Sequence, residues 1–68
     1  MTVVKVIELI GVSEKGWEDA VREGVRKASE TIDNITGVEV LSVTARVKNG
    51  ELTVYKANLK VAFGLTDR

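Results

Sequence analysis

Apolar residues fall on both faces of the first strand-like segment, and the chain has only one helix with which to cover either. Between Thr2 and Val12, Val4, Val6 and Ile10 alternate with Val3, Lys5, Ile7 and Leu9, so neither face is reserved for solvent. A half-buried strand in a monomer alternates apolar-in with polar-out. The surplus apolar surface therefore asks for a partner. Length sharpens the point. At 68 residues, with no cysteine for disulfides and no histidine for a structural zinc, the chain has few ways to be stable alone. It fits one domain, residues 1–68, and self-association is the expected remedy for its small core.

The same composition excludes several functions. Ten basic and ten acidic side chains cancel, so no net field draws the chain to nucleic acid or to an anionic membrane. No apolar run reaches a membrane-spanning length and the N-terminus lacks a signal-peptide pattern, so a cytoplasmic location is expected. Without histidine the commonest general base near neutral pH is missing, as is the commonest transition-metal ligand. Ser13, Ser29 and Ser42 have neither an adjacent base nor nucleophile-elbow glycines. Gly11, Gly16 and Gly24 do not form a phosphate-binding loop. Binding or assembly, not catalysis, is the expected role.

Periodicity places the elements. Gly11 closes the first strand, and Ser13 reads as the N-cap of a helix with Glu14 in its first turn. Trp17, Ala20, Val21, Gly24, Val25, Ala28 and Ile32 then make one apolar stripe at helical spacing. The opposite side carries Glu18–Arg22, Glu23–Lys27 and Arg26–Glu30, opposite charges four residues apart. Gly24 costs about 1 kcal/mol relative to alanine within a helix. Its place in the stripe suggests close approach of the helix to the sheet.

Asp33, Asn34, Thr36 and Gly37 break the helix, and Val38 to Val47 reads as a second strand with Leu41, Val43, Ala45 and Val47 on one side. A third strand, Glu51 to Leu65, sets Tyr55, Ala57, Leu59, Val61, Phe63 and Leu65 against Lys56, Asn58 and Lys60. A two-residue Asn49-Gly50 turn would pair Lys48 with Glu51 and mix the two faces. A three-residue loop, Lys48-Asn49-Gly50, pairs Val47 with Glu51, Val43 with Tyr55 and Leu41 with Ala57, and is the expected connection. The layout is α+β: β-α-β-β, a three-stranded antiparallel sheet of order 1-3-2 packed on one helix, with both edges and one face open. Arg46, Lys56, Asn58 and Lys60 share that open face, where they could meet an anionic ligand or a neighbouring subunit.

Three stretches together carry a family resemblance. Val6-Ile7-Glu8-Leu9-Ile10-Gly11-Val12-Ser13 resembles the strand-to-helix junction of the dodecins, small β-α-β-β proteins that form hollow dodecamers. Asp33-Asn34-Ile35-Thr36-Gly37-Val38-Glu39-Val40 and Val61-Ala62-Phe63-Gly64-Leu65 are similar to later dodecin segments, and the likeness spans nearly the whole chain. It implies a homo-dodecameric shell that binds or stores a small ligand, with flavin (FMN, FAD or riboflavin) as the family ligand held in pockets between subunits. In flavin-binding members a tryptophan before the second strand stacks on the isoalloxazine ring. A glutamine after the tyrosine of the third strand adds polar contacts.

Those positions fall here on Gly37 and Lys56, and neither matches. A stacking contact of about 0.5–1.5 kcal/mol beyond area burial is missing. A donor-only cation stands where an amide donates and accepts. With Arg46 these two are the residues expected to line the presumed pocket, whose flavin site is altered or absent. Trp17, on the apolar stripe, reads as core packing. Ser13-Glu14-Lys15-Gly16-Trp17-Glu18 resembles a branch that lacks the stacking tryptophan and has been associated with calcium. The alternative is therefore a structural or ion-holding assembly without flavin, drawing on Glu14, Glu18, Asp19, Glu23, Asp33 and Asn34. No stretch has the acidic spacing of a dedicated calcium loop, so such ligands would gather across a subunit interface.

Overall fold

Eleven uninterrupted pairings tie the first strand to the last, from Val3 opposite Leu65 to Ser13 opposite Tyr55. The computed structural model describes residues 3–65. It runs β1 (Val3–Ser13), α1 (Trp17–Ser29), β2 (Ile35–Lys48) and β3 (Glu51–Leu65). β3 lies in the middle, antiparallel to both neighbours, in the order β1-β3-β2. This is the architecture expected from the apolar periodicity. Thr2, read as the start of the first strand, lies outside the described residues.

The core is small. Ala20 on the helix and Ala57, Leu59 and Val61 on β3 are its buried centre, with Ile7, Leu9, Val21 and Ile35 packed around them. The helix approaches closely because two glycines face each other. Gly24 lies against the Leu9 and Leu59 side chains and the Gly11 backbone. Gly11, in turn, lies directly beneath the backbone of Ala20 and Gly24. The expected role of Gly24 in close packing is what the structure shows, with Gly11 as its counterpart on the sheet.

The hairpin differs from expectation. Lys48 pairs with Glu51 across a two-residue Asn49-Gly50 turn, with Asn49 at φ 55° and Gly50 at φ 78°, both left-handed. Two consecutive left-handed residues are the signature of a turn whose twist matches the strands. The faces do not mix because the register shifts one step further on. Arg46 pairs with Val54 but Val47 with Leu52, leaving Thr53 as the extra residue. The Thr53 hydroxyl donates to the Arg46 carbonyl (3.3 Å), holding the irregularity. Further shifts at Thr36 and Leu41 put Val43, not Leu41, opposite Ala57. Each bulge inserts one residue and flips the alternation after it, so Ile35, Val38, Val40, Val43 and Ala45 share the helix side. β2 also begins at Ile35 and not Val38, which puts Gly37 inside a strand. The break from the helix is made instead at Asn34, φ 65°.

Ser13 is not the helix cap. It is the buried last residue of β1, and the N-cap is Gly16, which makes no side-chain capping bond. The Ser13 hydroxyl accepts from the Lys15 amide (2.9 Å) and donates to Asp19 Oδ2 (2.6 Å), clipping the β1–α1 turn to the helix. Glu18 and Asp19, not Glu14, are the acids of the first turn. On the solvent side Glu18–Arg22 and Arg26–Glu30 form as expected, while Glu23 pairs with Arg26 (2.7 Å) and Lys27 with Glu30.

The helix lies over β1 and β3 and barely reaches β2. The result is an elongated shape of 54 × 20 × 13 Å with a radius of gyration of 14.1 Å. A compact chain of this length would have a radius near ~11 Å. Such a shape leaves large areas of sheet bare.

Candidate functional site

The pleat sends alternate residues to opposite faces, so the register assigns the uncovered face. β1 contributes Val4, Val6, Glu8, Ile10 and Val12. β3 contributes Lys56, Asn58, Lys60 and Ala62, and β2 contributes Gly37, Glu39, Ser42, Thr44 and Arg46. The four β1 apolar residues Val4, Val6, Ile10 and Val12 are each more than half exposed. Among the described residues, no element covers them.

Charge is divided along this face. Lys60 has Glu8 and Glu39 as its two cross-strand neighbours. Lys56, four residues along, has Val12 and Thr44. Arg46 sits opposite Val54 and so is the diagonal neighbour of Lys56, about 7–8 Å away. Neither cation forms an ion pair with a described residue. One end of the face is thus net acidic and the other carries two uncompensated positive charges.

Of the three positions read from the sequence, the structure brings Arg46 and Lys56 together and holds Gly37 apart. Gly37 pairs with Ala62, six residues from Lys56, which is about 20 Å along the strand. A pocket that uses both Gly37 and Lys56 must take them from different subunits. Gly37 has no left-handed backbone, and a Cβ placed on it would meet nothing within 4 Å.

Trp17 does not reach this face. It packs edge-on against Tyr55, with centroids 5.1 Å apart and planes at 81°, on the helix side. Its Nε1–H donates to the Thr44 carbonyl (2.8 Å). Trp17 is nonetheless 37% exposed and lies outside the core cluster, so it packs at the margin of the fold and not in the core as expected.

Several candidate oxygen ligands already have internal partners. Asp19 accepts from Ser13, Glu18 meets Arg22, and Glu23 meets Arg26. The Arg26 hydrogen bond and charge hold the Glu23 carboxyl below its ordinary 4.5. Among the described residues, no three His, Cys, Asp or Glu side chains converge as a metal site.

One feature is not foreseen from the sequence. An open groove of about 600 Å³ runs between the free edge of β1 and the helix, floored by Ile7, Leu9 and Gly11 and walled by Ala28, Thr31 and Ile32. Its only trace in the sequence is a helix stripe of small residues, which cannot fill the space beyond the edge strand.

The sequence model of the Dodecin family matches residues 3–66. The chain is 35% identical over 63 residues to the calcium dodecin of Mycobacterium tuberculosis, covering 93% of this chain and 89% of that protein. It is 29% identical over 65 residues to the dodecin of Thermus thermophilus, covering 96% and 94%. Its fold superposes on the dodecin of Streptomyces coelicolor with a TM-score of 0.92 at 30% identity, over 98% and 96% of the two chains. The solved Mycobacterium tuberculosis calcium dodecin, described as having a novel calcium-binding site, superposes with a TM-score of 0.80 at 34% identity, over 94% and 91%.

Proposed function

The chain belongs to the dodecin family, and on that premise we propose that it forms a closed homo-dodecamer whose inter-subunit pockets hold a small anionic ligand. The observation that carries the reading is the uncovered sheet face. Val4, Val6, Ile10 and Val12 are more than half exposed beside the unpaired cations Arg46 and Lys56. Exposed apolar area of this kind marks an interaction surface, and in a dodecamer another copy covers it. The two cations then find themselves at the rim of the contact, where an anionic group is attracted by both.

Flavin, the family ligand, fits this chain less well than one carrying the stacking tryptophan. Gly37 offers no ring, so ring stacking and its buried area are lost. A phosphate-bearing ligand still gains from Arg46 and Lys56, so FMN should bind better than riboflavin. The chemistry supported is retention of a ligand. The second reading, an ion-holding shell, draws its support from similarity to a calcium dodecin. It requires Glu14 and Asp33 to meet acids of another subunit, because Glu18, Asp19 and Glu23 have partners within the chain.

Light scattering coupled to size exclusion tests the shell. Twelve chains of 7.4 kDa give about 89 kDa, and a monomer or dimer at micromolar concentration refutes it. Quenching of FMN and riboflavin fluorescence tests the pocket. The double change Gly37→Trp with Lys56→Gln should strengthen riboflavin binding. The backbone is favourable, since Gly37 is neither left-handed nor crowded. Tight riboflavin binding by the unmodified protein contradicts the reading. Calcium-dependent assembly with no flavin response favours the ion-holding shell.

A further inference from the structure

Asn34, Asn49 and Asn58 are the only side-chain amides of the chain, and Asn49 stands in a setting unlike the other two. It precedes Gly50 at the tip of the β2–β3 hairpin, where every residue from Val47 to Leu52 is exposed. Asn58 lies within β3, between the buried Ala57 and Leu59. Asn34 is followed by the β-branched Ile35, and its carbonyl accepts from the Gly64 amide (3.0 Å).

We propose that Asn49 is a self-modification site, at which the Gly50 backbone amide displaces ammonia from the Asn49 side chain and leaves a carboxylate in its place. Water is the only co-reactant. The Gly50 nitrogen, its proton lost to hydroxide, attacks Asn49 Cγ. The N–Cγ bond forms, the Cγ–Nδ2 bond breaks, and Nδ2 leaves as ammonia after taking a proton from water. Water then opens the cyclic imide. Opening at Cγ gives aspartate, and opening at the Asn49 backbone carbonyl gives isoaspartate, in which the chain runs through the side chain. One ammonia is lost, one water is gained, and nothing is oxidised or reduced.

The tip favours this step in three ways. Its nucleophile is free: among the described residues neither the Gly50 amide nor the Asn49 side chain has a hydrogen-bond partner. Within a strand or helix that N–H is tied to a carbonyl, and the bond must break before attack. The approach is unhindered as well. Gly50 has no Cβ, and even a Cβ built there would meet nothing within 4 Å, whereas Ile35 and Leu59 place a bulky side chain beside the corresponding nitrogen. Lastly, the tip is loosely held. The Lys48–Glu51 pair alone separates the turn from Val47 and Leu52, which are 62% and 46% exposed, and the bulge at Thr53 follows at once. Segments with few buried contacts open at the lowest cost, so Asn49 can rotate Cγ onto the nitrogen without unfolding the sheet.

The product alters the hairpin in charge and in shape. A new carboxylate between Lys48 and Glu51 tips the balance of ten basic and ten acidic groups to net negative. Isoaspartate also lengthens the backbone of a turn built on two left-handed residues, φ 55° and 78°. The tip is thus a slow, irreversible marker of the molecule's age.

The unmodified protein, held folded at mildly alkaline pH, tests this by mass spectrometry of its tryptic peptides, with isoaspartate read by enzymatic carboxyl methylation. Asn49 should convert at least roughly tenfold faster than Asn34 or Asn58, a barrier difference of about 1.4 kcal/mol. Ion exchange should show an acidic species growing in step, and Asn49→Gln, whose longer side chain closes a ring poorly, should lack it. A rate at Asn49 no greater than at Asn58 overturns the proposal, as does an acidic species that persists in Asn49→Gln. Conversion at Asn49 only once urea has unfolded the chain overturns it too, since the folded tip would then protect the amide.

Discussion

Gly11→Ala should damage this protein more than any other exchange of one hydrogen for one methyl. A Cβ at Gly11 would fall far inside van der Waals contact of the Ala20 carbonyl oxygen and 2.9 Å from its carbon. Both sides of that clash are backbone, so no side chain can rotate away. The helix must lift off β1 by more than an ångström, and gaps of 0.5–1 Å already forfeit about a quarter to a half of each dispersion contact. Ala20, Gly24 and Ala28 would all loosen against Leu9, Leu59 and Ala57. Overpacking of this type costs typically about 1–3 kcal/mol and more when backbone is involved, and the reduced chain entropy of alanine returns only about 0.4–1. A net loss of about 2–3 kcal/mol corresponds to roughly 10 °C or more in a domain of this size. Gly24→Ala is the control. Its Cβ would meet the tips of Leu59 (2.8 Å) and Leu9 (3.1 Å), which can turn. Helix propensity gains about 1 kcal/mol in compensation, so the net should lie within about 1 kcal/mol of zero. Gly24→Leu, with three further carbons, returns to the overpacking cost of about 1–3 kcal/mol. The assay is thermal unfolding followed by Trp17 fluorescence, at one fixed protein concentration because assembly contributes to stability. An unchanged midpoint for Gly11→Ala, or a larger loss for Gly24→Ala than for Gly11→Ala, refutes the claim that backbone proximity is what the glycine pair provides.

Trp17→Phe keeps the edge-on contact with Tyr55 but removes the hydrogen bond to the Thr44 carbonyl, so urea unfolding followed by circular dichroism should show a loss of about 1 kcal/mol. Gly50→Ala meets no atom but must hold φ 78°, and the same measurement should show a loss of about 1–2 kcal/mol with the oligomer intact. Glu23 has a lowered folded pKa because of Arg26, so its contribution is present above the unfolded value of 4.5 and fades as pH falls through the lower folded one. Glu23→Gln should accordingly lower stability slightly in the neutral region and leave the acid end unchanged, so that the curve falls less steeply towards acid.

How much of the fold is legible in the sequence depends on whether the cause is local. Strand order follows from apolar alternation along Glu51–Leu65 and from the direction the helix must carry the chain. Gly24 is legible because glycine within a helix stripe costs stability that close packing against a sheet can offset. Its counterpart Gly11 is not, since it sits near the end of a strand where glycine needs no reason, and only the crossing of helix over sheet gives it one. The hairpin is misread through a sound rule applied with one fact missing. A two-residue turn does set odd against even positions, but the Thr53 bulge immediately restores the faces. A bulge carries no residue signature here: Thr36, Leu41 and Thr53 are ordinary strand residues. Ser13 is misplaced because the same hydroxyl chemistry that caps a helix also closes the turn before it, and the Lys15 amide and Asp19 claim it first.

The site is legible in the sequence only as separate residue positions, and the structure explains why. Arg46 and Lys56 are ten apart in sequence and become diagonal neighbours because β2 and β3 form a hairpin. Their proximity is a consequence of one chain's fold. Gly37 lies about 20 Å further along the same face, so it cannot complete a pocket with Lys56 unless a second chain turns its own face toward the first. The apolar residues on the other edge strand of that face, Val4, Val6, Ile10 and Val12, are the surface that a second chain would cover. Stability and ligand retention therefore make the same demand of this molecule. On the proposed reading, the contact that removes exposed valines from water would also be the contact that brings distant site residues together. A substitution that weakens assembly should lower ligand affinity even when it touches neither Gly37, Arg46 nor Lys56. Val6→Asp is such a change, and it should reduce oligomer and flavin response in parallel. Loss of the oligomer with FMN quenching intact would mean that a single chain holds the ligand, against the geometry that separates Gly37 from the two cations.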